Sequence, residues 1–142
     1  MKYSNPPTPY RYSFKESAFH QVESLKTKHG PSVIVEFTKF LNQITTDFAS
    51  GGDSDSILFS DLVDDSLAKA STHLQADALR ACFYQLKTAR DVENLRIKPG
   101  VIVDVYDGKT AFLVAAVFEV DHANQFIVFV DFIGISNSVF QV

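Results

Sequence analysis

The sequence predicts an α+β domain with helices packed on one face of a mainly antiparallel sheet. Three observations predict it. Apolar residues recur at helical spacing through the first half, strand-like runs fill the stretch from 101 to 134, and short turn signals separate those runs. With 142 residues, one core suffices, and the chain is read as a single domain, 1–142.

Taken in order, residues 1–9 are polar and proline-rich and are expected to form a flexible arm. Tyr10, Tyr12 and Phe14 alternate with Arg11 and Ser13, the period of a short half-buried strand. Ala18, Phe19, Val22 and Leu25 then recur at spacings of three and four, giving a first helix that "HGP" at 29–31 stops. A second helix carries the stripe Ile34, Phe37, Leu41, Ile44 and Phe48, broadened by Val33 and Phe40, and ends before the loop "SGGDSDS". "ILFSDLVDDSLAKA" fits either a short strand or a helix start. From His73 to Arg90 the spacing of Leu79, Cys82, Phe83 and Leu86 is helical again. "KPG" at 98–100 precedes the runs "VIVDVY", "TAFLVAAVFEV" and "FIVFVDFIGI", joined by the turns "DGK" and "DHANQ".

The last run, "QFIVFVDFIGIS", is apolar on both parities with Asp131 as its one charge. A strand open to water on one side alternates, so this one is expected to be central or covered on both faces. "TAFLVAAVFEV" poses the same problem, with Phe112, Val114, Ala116 and Phe118 on one side and Leu113, Ala115 and Val117 on the other. If helices cover one face, the second needs either residues 50–90 folded over it or another chain. A protein partner or homo-oligomer is therefore expected, through Phe112, Val114, Phe118 and Phe129.

Composition narrows the partners. Residues 1–100 hold twelve basic and twelve acidic residues, whereas 101–142 hold Lys109 against Asp104, Asp107, Glu119, Asp121 and Asp131. The second part is a poor face for nucleic acid. The one basic concentration is Arg80, Lys87, Arg90, Arg96 and Lys98, with Tyr84 a turn after Arg80, where it could stack on a base. Arg80, Tyr84, Lys87 and Arg90 are accordingly the candidate nucleic-acid residues, with a solvated helix face as the simpler account of the same charges. The lone Cys82 and the absence of a long apolar run point to a cytoplasmic protein without membrane attachment.

No motif of high catalytic specificity occurs. Asp53, Asp55, Asp61 and Asp64 partly imitate a calcium loop, but Leu58 stands where such a loop needs glycine. His20, His29, His73 and His122 have no ligand spacing. Neither metal nor cofactor is implied.

The order strand, two helices, three-stranded meander resembles the RelE/ParE superfamily of toxin–antitoxin toxins. "YRYSFKESAFHQVESL" is similar to that family's opening, with Ala18 and Leu25 on the first helix, and "VENLRIKPGVIVDVYDGKTAFLVAAVFEVDHANQFIVFVDFIGIS" to its meander. Residues 50–90 have no counterpart and would be an inserted helical segment. The resemblance implies a toxin-type protein of a toxin–antitoxin module. The basic residues with which such enzymes orient RNA phosphates are replaced here by Asp104, Ala111, Ala115, Ala116 and Asp131, leaving Lys109 and Tyr106, so RNase activity is not implied. The alternative is a non-enzymatic acidic binding protein of the immunity or inhibitor kind, acting through its sheet face.

Overall fold

A computed structural model of the chain describes residues 8–58, 94–103 and 111–134, with side chains from 114 onward in the last stretch. The elements are β1 (Arg11–Phe14), α1 (Glu16–His29), α2 (Pro31–Ala49), β2 (Ile57–Leu58), β3 (Arg96–Val103), β4 (Ala111–Asp121) and β5 (Phe126–Gly134). The five strands form one mixed sheet in the order β1-β5-β4-β3-β2. The sheet is antiparallel except that β1 runs parallel to β5, with Arg11 beside Phe126 and Phe14 beside Phe129. Among the described residues no helix is long and apolar enough to cross a membrane.

Local chemistry explains the two helices. Glu16 lies in the first turn of α1 and Lys26 and Lys28 in the last, which suits the helix dipole at each end. Gly30 then takes a φ of 80°, open to glycine without strain, and Pro31 starts α2 where its missing N–H costs nothing. At the far end of α2, the Gly51 N–H donates to the Phe48 carbonyl and the Gly52 N–H to the Asp47 carbonyl, at 3.1 and 2.9 Å. With Gly51 at φ 88°, this is a Schellman stop.

The buried stripe of α2, Val33, Phe37, Phe40, Leu41, Ile44 and Phe48, and Ala18 and Leu25 of α1 lie in one core cluster with Ile102, Val114, Ala116, Phe118, Ile127, Phe129 and Phe132. Tyr10, just before β1, and Tyr12 and Phe14 within it pack against the core, as their alternation predicts. The ring of Phe129 lies between 5.5 and 5.8 Å from those of Tyr12, Phe14, Phe118 and Phe132. On the other parity Ile97, Ala115, Val117 and Ile133 are buried as well, so the middle of the sheet is shielded from water on both faces. Farther along that parity of β3, Val101 and Val103 are 56% and 40% exposed.

β5 is an inner strand, flanked by β1 and β4, as its composition requires. Its pairing slips once. Val117 faces Asp131 and Phe118 faces Phe129, so Val130 is an extra residue, a β-bulge. The bulge reverses parity, which puts both Phe129 and Phe132 in the helix-covered core although they are three residues apart. The turn into β5 is fastened by Asp121, whose carboxylate accepts from the Asn124 backbone N–H and side-chain amide at 3.1 and 2.7 Å. These bonds hold the exposed Asp121 carboxyl below its ordinary range.

Candidate functional site

Val114, Phe118 and Phe129, expected on an open sheet face, lie inside the chain beneath the helices, because theirs is the parity that faces α1 and α2. Phe112 stands opposite Ile102 in the β3–β4 ladder. Arg80, Tyr84, Lys87 and Arg90 lie outside the described residues, as do His73, Cys82, Asp61, Asp64, Asp104, Tyr106, Lys109 and most of 50–90. Ala115 and Ala116 are fully buried, so neither position on β4 presents a group to a substrate.

Among the described residues two places gather polar groups against the sheet. The first is a groove between α2, the loop after it, and β3. Lys98 pairs with Ala116 across the ladder and therefore points to the helix side of the sheet, where it is half-buried. Opposite it, α2 presents Lys39, Asn42, Gln43, Thr46 and Asp47 at the spacings that share one helical face. Together with Ser50, Ser54 and Asp55 they line a cavity of about 580 Å³. An adjoining hollow of about 330 Å³ shares Lys39, Gln43 and Lys98 and is floored by Phe40 and Gly100. Lys39 is tied to Glu36 at 3.1 Å.

Arg96 positions the loop wall of this groove. Its guanidinium lies 5.7 Å over the Phe48 ring and donates to Ser56 Oγ at 3.1 Å, and the Ser56 hydroxyl donates to the Asp53 carbonyl at 2.6 Å. The Asp55 N–H closes the turn onto Asp53 Oδ1 at 2.9 Å. The groove thus holds ammonium, carboxylate, amide and hydroxyl groups but no histidine or cysteine among the described residues. Such a set of groups can recognise a polar ligand. Among the described residues no three histidine, cysteine or carboxylate groups converge as metal ligands.

The second place is the edge of β5 beyond the reach of β1. Here α1 takes over the ladder. Gln21 acts as an extra peptide unit: its Nε2 donates to the Phe132 carbonyl at 2.8 Å, and its Oε1 accepts from the Phe132 N–H at 2.9 Å. The Ser17 hydroxyl donates to the carbonyl of the bulged Val130 at 3.2 Å. Beside them Asp131 Oδ1 also accepts from the Phe132 N–H at 2.9 Å. Burial raises the Asp131 carboxyl above its ordinary value, against the opposing pull of Gln21 and the Phe132 N–H. Periodicity could not reveal this bridge, since Gln21 reads in sequence as one more polar helix residue. Lys98 belonged to the visible basic concentration, but its proximity to Lys39 depends on how α2 crosses the sheet.

No protein-family model matches the chain, and neither a characterised protein nor a solved structure is significantly similar to it.

Proposed function

We propose that this chain is a toxin-type protein of a toxin–antitoxin module, resembling RelE/ParE, that acts by binding and does not cleave RNA on its sheet. The observation that carries the reading is the order of elements: a strand, two helices on one face, and a run of antiparallel strands whose last member lies beside the first. The binding half of the reading draws support from the sheet itself. In the enzymes it resembles, Arg or Lys at the strand surface would stabilise the charge that develops when an RNA hydroxyl attacks a phosphate. Two of the positions at issue are the buried Ala115 and Ala116, and a third is the half-buried carboxyl of Asp131.

Controlled induction in a bacterial host tests the reading. Growth arrest at an expression level that leaves an unrelated control protein harmless is the expected result. Unimpaired growth at full soluble expression overturns it.

A further inference from the structure

We infer that the outer edge of β1 is a docking strand for an acidic extended segment of a protein partner. The inference does not rest on the toxin-type reading.

The edge is defined by which way the backbone groups point. The Arg11 N–H donates to the Gln125 carbonyl and the Lys15 N–H to the Phe129 carbonyl, at 3.2 and 2.9 Å, so the odd-numbered residues face β5. In a strand the intervening residues face the opposite way, which turns the peptide groups of Tyr12 and Phe14 outward. No described strand lies on that side, since β1 ends the sheet. The neighbouring stretch of edge on β5 is already closed by Ser17 and Gln21. Tyr10 is likewise engaged, its N–H donating to the Thr45 carbonyl of α2 at 3.2 Å.

This stretch, unpaired among the described residues, is held firmly. Tyr12 and Phe14 are half-buried, pack edge-to-face on each other with centroids 5.6 Å apart, and both rest on Phe129. A rigid edge adds a strand without first losing backbone freedom.

Charge selects the occupant. Arg11, Ser13 and Lys15 project from the opposite face of β1 and are exposed. Among the described residues neither cation is in an ion pair, the pairs there being His20–Glu16 and Lys39–Glu36. Lys15 continues the extended backbone at φ −64°, ψ 160°, so the two cations stand roughly 13 Å apart, four strand residues. A partner strand with carboxylates four residues apart places one against each cation. A second copy is disfavoured: pairing β1 with itself about Ser13 sets Arg11 opposite Lys15 of the other copy twice, and like charges directly opposite destabilise a ladder.

The test uses the isotope-labelled full chain and two seven-residue peptides, one with glutamates four residues apart and its twin with lysines. Without peptide, the Tyr12 and Phe14 amides are expected to exchange fast while Ile127 and Phe129 are protected. The glutamate peptide should slow exchange at Tyr12 and Phe14, and it should bind at least tenfold more tightly than the lysine peptide at low salt. The double variant Arg11→Glu, Lys15→Glu, altered only at exposed positions, should reverse that preference. Protection of Tyr12 and Phe14 in the free protein, unchanged peptide preference in the double variant, or concentration-dependent protection that signals self-pairing would each overturn the inference.

Discussion

Replacing Phe129 by Ala probes the packing on which the whole sheet depends. The side chain is fully buried, with four aromatic rings within 5.8 Å of its own. A buried aromatic removes about 150–250 Å² from water, which at ~25 cal/mol per Å² gives about 4–6 kcal/mol for the whole side chain. The retained Cβ and partial collapse of the site lower this, whereas lost ring contacts raise it, so about 3–5 kcal/mol is expected. At a urea dependence of ~2 kcal/mol per molar, the unfolding midpoint should fall by about 1.5–2.5 M. Val101→Ala is the matched control: Val101 is 56% exposed, and its loss should stay within about 0.5 kcal/mol. Urea melts followed by circular dichroism supply both numbers. A cost under about 1 kcal/mol for Phe129→Ala, or equal costs at the two positions, would refute the placement of Phe129 in the core.

Further outcomes follow from individual contacts. A Cβ added at Gly100 would sit 2.5 Å from the Phe40 ring, so Gly100→Ala should cost about 1–3 kcal/mol. Phe40→Leu should recover part of that cost in a double-mutant cycle. Gln21→Ala removes both bonds to the Phe132 peptide and should cost about 1–3 kcal/mol in a thermal or urea melt, with faster amide exchange at Phe132. Asp131→Asn keeps an acceptor for the Phe132 N–H but removes a half-buried charge. Because burial raises the Asp131 carboxyl, the folded chain holds that proton more tightly than the unfolded one. The Asp131 contribution is therefore present at low pH and lost as pH rises from 3.8 through the raised folded value. The Asn variant should gain stability over wild type at pH 7 and lose that advantage below pH 3.8, as paired melts at the two pH values would show.

Much of this architecture is legible in the sequence because it follows local periodicity. The stripe from Val33 to Phe48 fixes both α2 and the face it buries, and the alternation of Tyr10, Tyr12 and Phe14 fixes β1 and its inward side. Apolarity on both parities of β5 correctly requires an inner strand. The parallel pairing of β1 with β5 is invisible locally, because it joins residues more than a hundred positions apart. The bulge at Val130 is equally hidden: alternation alone would separate Phe129 from Phe132, whereas one extra residue brings them to the same side. The sites suffered most. Val114, Phe118 and Phe129 lie in the core and not on an outer face, a distinction hidden in the sequence because parity does not say which side the helices take. Gln21 carries no sequence signal for its role as a surrogate peptide group.

Incubating the purified full chain with translating ribosomes and a defined messenger, then mapping 5′ ends, tests most directly the claim that its sheet carries no RNA-cleaving chemistry. An intact messenger, with no new ends above the ribosome-only control, is the expected result. New ends that depend on the chain, and that survive Arg11→Glu with Lys15→Glu but vanish when Asp131 or Lys98 is replaced, would contradict it.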